Sequence, residues 1–138
     1  SPTLHHGMLY RVAGYLQYLL GLKPEGGFAE SPYAFTEADL LRGKALYQSF
    51  CAICHGARGE GDGRAIPLGV PKPRSYHDPA VRDQPEGYFY FAATNGFGRM
   101  LPYKSRIPER ERWLIAHYIK RCLLSEACPE EVVHAEVH

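Results

Sequence analysis

The sequence predicts an all-α fold, and three observations indicate it. Four stretches have helical spacing or helix-capping residues, no stretch alternates apolar and polar residues as strands do, and no internal repeat is present. Glycine and proline are concentrated between the second and third stretches, which indicates loops rather than regular elements. With 138 residues and 45% hydrophobic side chains, the chain has the size of one domain around one core.

The first two predicted helices differ in character. Residues 8–22 are apolar on nearly every face and stop before Pro24, since proline ends a helix. We expect this helix to pack on the rest of the chain or on a partner, because so apolar a surface is not left in water. After a linker rich in glycine and proline, Thr36 caps the second helix and Asp39 completes a capping box.

Two more helices are predicted in the second half of the chain. The third has Asp83 as its cap and Pro85 in its first turn, and it stops at an Asn-Gly pair. The fourth begins at Pro108 and runs to about Leu124, with acidic residues in its first turn and basic residues in its last. That order of charges suits the helix dipole.

The stretch CAICHG, residues 51–56, has two cysteines three positions apart and a histidine directly after the second. Closely paired cysteines occur in disulfides, zinc sites, redox pairs and the attachment sites of c-type haem, and only the last requires the histidine. A zinc site needs a second ligand pair, but Cys122 and Cys128 lie six apart. A redox pair would follow a strand, whereas a helical pattern precedes Cys51. The motif therefore predicts one covalently attached haem c.

The spacing assigns a role to each residue of this motif. On one helical turn Cys51 and Cys54 share a face, because residues three apart are neighbours on a helix. Both thiols can then form thioethers with one porphyrin, and His55 is predicted to be the first axial ligand of the iron.

Met100 is the predicted sixth ligand. It lies in NGFGRMLPY, a glycine-flanked loop in which backbone freedom lets a side chain reach the iron. The alternative is a methionine that only fills an apolar core. Met8 and His77 are the competing ligands, and His117 is expected to be structural. The remaining histidines lie near the chain ends: His5, His6, His134 and His138. A thioether ligand favours ferrous iron and raises the reduction potential, which suits an electron carrier.

The motif extends to G-x3-Y-x3-C-x2-C-H, formed by Gly43, Tyr47, Cys51, Cys54 and His55. With the loop methionine and an aromatic C-terminal helix, it resembles class I cytochromes c. The resemblance implies the class I cytochrome c fold, in which Gly43 and Tyr47 pack the haem-bearing helix against Tyr118. It also implies that a backbone carbonyl of a loop proline accepts the Nδ1 proton of His55. Pro67 is at the expected distance, with Pro71 and Pro73 nearby.

A longer stretch, PEGYFYFAATNGFGRMLPYKSRIPERERWLIAHYIKRC, is similar to the monohaem cytochrome c subunit of bacterial alternative complex III. The resemblance covers about residues 36–124, although Met-Leu-Pro replaces the usual Met-Pro. We therefore expect an N-terminal helical extension and linker over 1–35, a haem domain over 36–125 and a C-terminal tail over 126–138.

The charge balance and the targeting signals of the sequence restrict which partners and which cellular compartment are expected. Sixteen basic and 15 acidic side chains give a net charge of +1, so the chain has no excess of positive charge for nucleic acid. No apolar run is long enough for a transmembrane segment. The chain starts at Ser1 without a signal peptide, and we expect either a processed mature form or a shortened chain. Because haem c is attached outside the cytoplasm, we expect the periplasm or the outer face of the membrane, where Cys122 and Cys128 can form a disulfide.

The predicted function is transfer of single electrons, without an enzymatic activity of its own. The resemblance implies a quinol:cytochrome c oxidoreductase as the donor and a haem-copper terminal oxidase as the acceptor. Two alternatives are a haem enzyme or gas sensor with a displaceable sixth ligand, and a fixed subunit of a membrane complex. Six basic residues of the two haem-flanking loops either steer a partner or are simply solvated: Arg58, Arg64, Lys72, Arg74, Arg99 and Lys104.

Overall fold

A computed structural model describes residues 20–23 and 27–137. Within this part the regular elements are helical, as predicted, and the only strand-like pairs are two isolated bridges, Leu22–Phe28 and Phe97–Met100. In chain order the α-helices are α1 (Glu37–Phe50), α2 (Ala52–His55), α3 (Pro79–Arg82), α4 (Glu86–Asn95), α5 (Glu109–Tyr118) and α6 (Glu130–His134). A 3₁₀ helix spans Ile66–Leu68, and a π-helical turn at Ile119–Leu123 continues α5. No helix of the described residues is long and apolar enough to cross a membrane.

Helix α1 begins at the predicted capping box. The Thr36 hydroxyl accepts the Asp39 amide at 3.2 Å, and the Asp39 carboxylate accepts the Thr36 amide at 2.9 Å. These two bonds satisfy amides that have no partner within the helix. The helix ends at Cys51, and the single turn of α2 follows at once.

The crossing of α1 with α5 forms the centre of the core. A Cβ atom added at Gly43 would lie 3.1 Å from the Leu114 carbonyl oxygen and 3.1 Å from the Tyr118 Cβ, so glycine allows the two backbones to approach closely. One turn later the rings of Tyr47 and Tyr118 are in contact, with centroids 5.6 Å apart. The predicted contacts of Gly43, Tyr47 and Tyr118 are confirmed.

Helix α4 packs on the other side of α5. The Tyr90 and Trp113 rings, both fully buried, are stacked with centroids 4.0 Å apart and planes within 8°. The start of α4 differs from the prediction, because Asp83 ends the short helix α3 instead of capping α4. Asp78 caps α3, and Pro85 occupies the cap position of α4. Two capping signals five residues apart therefore produced a short helix before the predicted one.

The predicted N-terminal helix, residues 8–22, lies outside the described residues as far as residue 19. Its last three residues are described and do not continue a helix, because residues 20–21 form a turn and Leu22 pairs with Phe28. The Ala29 amide donates to the Gly21 carbonyl at 2.6 Å, which folds the chain back on itself. The helix prediction is therefore wrong for residues 20–22.

The C-terminal segment folds back onto α1. The predicted disulfide between Cys122 and Cys128 is confirmed. Beyond it, Val132 of α6 is fully buried. The ammonium group of Lys44, itself 8% exposed, donates to the carbonyl oxygens of Val132, Val133 and Ala135 at 2.7, 3.0 and 2.8 Å. A cation at the carbonyl end of α6 complements the helix dipole.

Candidate haem-binding site

A cavity of about 410 Å³ opens between the α1–α2 junction, helices α4 and α5, and the two long loops. This volume is typical of small-molecule and cofactor sites. Cys51, His55 and Met100 line it together with mostly apolar side chains, among them Phe89 and Ile115. The structure therefore brings three of the four predicted haem-binding residues to one cavity, and the fourth, Cys54, lies one helical turn beyond Cys51.

The two cysteines of the motif are free thiols. The Cys54 amide donates to the Cys51 carbonyl at 3.2 Å, and the His55 amide donates to the same carbonyl at 2.9 Å. All three residues thus belong to one helical turn. Burial, with a smaller contribution from Cys54, raises the pKa of the Cys51 thiol to about 12, so this thiol stays protonated at neutral pH.

The imidazole of His55 is partly buried and neutral. Burial lowers its pKa to about 4, which leaves a nitrogen lone pair free to bind a metal at neutral pH. Its ring is stacked on the ring of Tyr76, with centroids 4.8 Å apart and planes within 19°. Its Nδ1 atom is buried and has no hydrogen-bond partner in the described part of the chain.

The expected acceptor for this Nδ1, the Pro67 carbonyl, does not reach it. Pro67 lies in the 3₁₀ helix, and the preceding amides of Gly63 and Ala65 donate to the carbonyls of Cys54 and Ile53. These bonds hold that part of the loop against the backbone of α2. Pro73 is the proline of the predicted set that lines the cavity.

Met100 is presented by a tight turn at the end of α4. Gly96, with φ of 76°, ends the helix in a conformation that glycine adopts without strain. The Met100 amide then donates to the Phe97 carbonyl at 2.9 Å, and the Phe97 amide donates to the Met100 carbonyl at 3.2 Å. Leu101 is 70% exposed and lies outside the cavity lining, whereas Phe97, although 60% exposed, and Met100 both line the cavity.

The competing ligands are placed as follows. His77 is exposed, and its Nε2 contacts the Arg58 carbonyl oxygen at 2.8 Å, outside the cavity lining. His117 contacts the Glu86 carboxylate at 2.7 Å, which agrees with a structural role. Met8 lies outside the described residues, as do His5, His6 and His138.

Two residues of the site were missed by sequence reasoning. Tyr76 is held next to Gly59, because the Tyr76 amide donates to the Gly59 carbonyl at 2.8 Å. Its sequence signal is that it is the one Phe, Tyr or Trp residue between positions 56 and 83. Arg112 is 7% exposed beside the loop that carries Met100. Its signal is a charge directly before the apolar run WLIAHYI.

These observations fit a covalently bound haem. The cavity is mainly apolar, a neutral, partly buried imidazole and a thioether both border it, and the thiols lie on the helical turn that carries the imidazole. Within the described residues no group of three or more His, Cys, Asp or Glu side chains could hold a bare metal ion.

Comparison with known proteins identifies this class. A family model described as cytochrome c oxidase, cbb3-type, subunit III matches residues 38–119, which is more than half of the chain. The chain belongs to this family of c-type cytochrome domains. Its fold is therefore an all-helical cytochrome c domain, and the family implies covalently attached haem c and electron transfer.

Two solved structures are similar to this chain. Part of the Kuenenia stuttgartiensis reducing HAO-like protein complex Kustc0457/Kustc0458 is 27% identical with a TM-score of 0.56. That match covers 70% of this chain and 48% of the other, so this chain spans about half of its length. The c-type cytochrome KustC0563 is 21% identical with a TM-score of 0.47, covering 56% of this chain and 93% of the other. A search of curated proteins found no match.

Proposed function

We propose that this protein carries single electrons through one haem c that is attached by Cys51 and Cys54 and ligated by His55 and Met100. The observation that supports this proposal most strongly is the shared cavity, which Cys51, His55 and Met100 border together although Met100 lies 45 residues after His55. When bound, the haem supplies an iron that cycles between the ferric and ferrous states.

The chain's own residues have separate tasks in this proposal. The two thioethers retain the cofactor while one edge stays open to a partner. His55 remains neutral because it is partly buried, so it can ligate iron without first losing a proton. The Met100 thioether, a soft neutral ligand, stabilises the reduced state and occupies the sixth position. A closed sixth position favours electron transfer over chemistry on a bound small molecule.

The partners form the second part of the proposal. The matched family is named for a subunit of an oxidase, which supports a haem-copper terminal oxidase as the acceptor. We propose a quinol:cytochrome c oxidoreductase of the alternative complex III type as the donor, on the sequence resemblance of residues 36–124. We also propose a location in the periplasm or at the outer face of the membrane, where haem c is attached and the Cys122–Cys128 disulfide is stable.

We also propose that the chain is divided as the sequence indicates, with an extension over 1–35, a haem domain over 36–125 and a tail over 126–138. The contacts of Lys44 and Val132 support a tail that packs on the haem domain. The described part of the extension is bound to α4, since the Gly87 amide donates to the Ala29 carbonyl at 2.7 Å.

Replacing Met100 tests the proposed ligation. We expect the ferric wild type to show the weak far-red absorption band of sulfur-to-iron charge transfer, and Met100→Ala to lose it while the thioethers retain the haem. The variant should have a lower reduction potential, and it should bind carbon monoxide when reduced, because its sixth position is open.

Met8→Leu is the matched control, since it removes the other methionine of the chain. We expect this variant to keep the far-red band and to exclude carbon monoxide like the wild type. A Met100→Ala protein with an unchanged spectrum would move the sixth ligand to Met8 or His77. A wild type that binds carbon monoxide at once would instead support the haem enzyme or gas sensor.

A further inference from the structure

Arg112 is a buried cation in the first half of α5. Its side chain makes four hydrogen bonds, and every acceptor is an uncharged oxygen. Nε donates to the Thr94 hydroxyl at 3.0 Å, and Nη2 donates to the Tyr90 hydroxyl at 3.3 Å. Nη1 donates to the carbonyls of Ile107 at 2.6 Å and Lys104 at 3.1 Å. In the described part of the chain Arg112 forms no ion pair with a carboxylate.

The acceptors of these bonds lie on both sides of the loop that carries Met100. Thr94 is the penultimate residue of α4, directly before the loop, whereas Lys104 and Ile107 lie between Met100 and α5. One guanidinium group therefore connects the helix that enters the loop with the chain that leaves it. Within the described residues, the Tyr103 amide, which donates to the Ala93 carbonyl at 2.8 Å, makes the one backbone–backbone hydrogen bond parallel to this connection.

The loop has few other anchors near Met100. Leu101 is 70% exposed, and Phe97 is 60% exposed with one tilted ring contact, 6.3 Å between centroids, to Tyr88, so burial of these two side chains contributes little to holding the turn in place. The hydrogen bonds between Phe97 and Met100 close the turn on itself without joining it to the core. The position of the turn over the cavity therefore depends on its two ends, and these are the ends that Arg112 binds.

The chemistry of this anchor is specific to arginine. A guanidinium presents five donors in a fixed fork, so it can bind acceptors in several directions at once, whereas an ammonium is a point charge with three rotatable donors. Burying a charge is costly unless it is well hydrogen-bonded. If position 112 only had to fill space in the core, an uncharged side chain would suffice. The four hydrogen bonds of Arg112 therefore indicate that its role is to fix the two ends of the loop.

We propose that Arg112 is a positioning residue that holds the Met100 loop so that its thioether stays on the iron. This inference rests on the proposed ligation by Met100. Its consequence is that weakening the Arg112 bonds raises the frequency with which the sixth position opens, even in protein that remains folded and keeps its haem.

The test compares holoprotein variants in the ferric state. Arg112→Lys keeps the charge but cannot reproduce the fork, and Thr94→Val removes one acceptor while conserving shape. Arg110→Lys is the control: this arginine lies two positions away on the same helix, is half exposed and pairs with Asp39. For each protein we would record the far-red band, the rate of imidazole binding to the iron, and the free energy of unfolding in urea.

We expect Arg112→Lys to weaken the band and to bind imidazole about tenfold faster or more, since bonds to a charged donor are among the stronger ones. Thr94→Val should show a smaller change in the same direction, and Arg110→Lys should match the wild type. If Arg112→Lys does not fold, Thr94→Val decides the question.

Lower stability with an unchanged band and an unchanged imidazole rate in these variants would overturn the inference and leave Arg112 a purely structural residue. A wild type without the band would contradict the proposed Met100 ligation itself. The spectrum of the wild type thus distinguishes failure of the proposed function from failure of the inference.

Discussion

At the scale of single residues, Tyr47 connects the core with the haem-binding turn. Its side chain is fully buried, its ring packs on Tyr118, and its hydroxyl donates to the Gly56 carbonyl at 2.6 Å. Gly56 directly follows His55, so this bond fixes the chain where it leaves the haem motif. Burial also raises the pKa of the Tyr47 phenol, which therefore remains a donor at all physiological pH values.

Removing this hydroxyl should destabilise the protein. We expect Tyr47→Phe to lower the free energy of unfolding by about 1–3 kcal/mol, because the buried Gly56 carbonyl loses its partner. Tyr118→Phe is a matched control, since the Tyr118 hydroxyl makes no hydrogen bond within the described residues, and we expect a change below about 0.5 kcal/mol. Urea unfolding of both variants measures the difference, and equal losses would refute this role for Tyr47.

At the scale of elements, the fold depends on a few close contacts between helices that are distant in sequence. Gly43 lets α1 cross α5, and the stacked Tyr90 and Trp113 join α4 to α5. Helix α6 is too short to be stable alone, so it depends on the burial of Val132 and on Lys44. The disulfide adds a short covalent link that keeps this segment near the end of α5.

The Lys44 bonds give a second stability prediction. Lys44→Met keeps the length of the side chain but removes the donor, and we expect it to lower the free energy of unfolding by at least about 1.5 kcal/mol, since three carbonyls lose a charged partner. Lys120→Met serves as the comparison, because Lys120 makes a single exposed bond to the Arg82 carbonyl. Urea unfolding that shows Lys120→Met to be the more damaging change would argue against Lys44 as the anchor of α6.

At this scale, sequence reasoning was correct where the deciding contacts join residues that are close in sequence. The capping box of Thr36 and Asp39 is local, and it was predicted with its partners. The start of α4 was displaced because Asp78 and Asp83 both lie in capping sequences, and local signals do not rank them. The acceptor for His55 stayed open among three prolines because they lie within seven residues of one loop, and only the tertiary hydrogen bonds of that loop decide which of them faces the cavity.

The candidate haem-binding site was likewise predictable only where its signals are local in sequence. The haem motif and the glycine-flanked Met100 can be found from spacing alone. The stack of Tyr76 on His55 and the bonds of Arg112 to Thr94 and Tyr90 join residues 18 to 22 positions apart, and no local pattern encodes them. Buried polar residues in otherwise apolar helices are the signal by which such contacts could be sought.

At the scale of the whole molecule, the proposed function is that of an electron carrier whose iron excludes small ligands while the haem edge is open to redox partners. The net charge is only +1, so any electrostatic steering of a partner must come from local groups. Arg74 borders the cavity, but it lies 3.7 Å from the Asp78 carboxylate in an exposed pair, which weakens its contribution to such a field. Retention of the haem and exclusion of small ligands are the two properties by which the proposed function is tested.

A redox titration of the purified holoprotein, carried out under argon and repeated under carbon monoxide, tests this central claim most directly. We predict one transition of a single electron, with the same midpoint potential under both gases, because in the proposed ligation His55 and Met100 would fill both axial positions of the iron. A midpoint that rises under carbon monoxide would show that the gas binds the ferrous iron at an open position. That result would contradict the account and would identify the protein as a haem enzyme or a gas sensor.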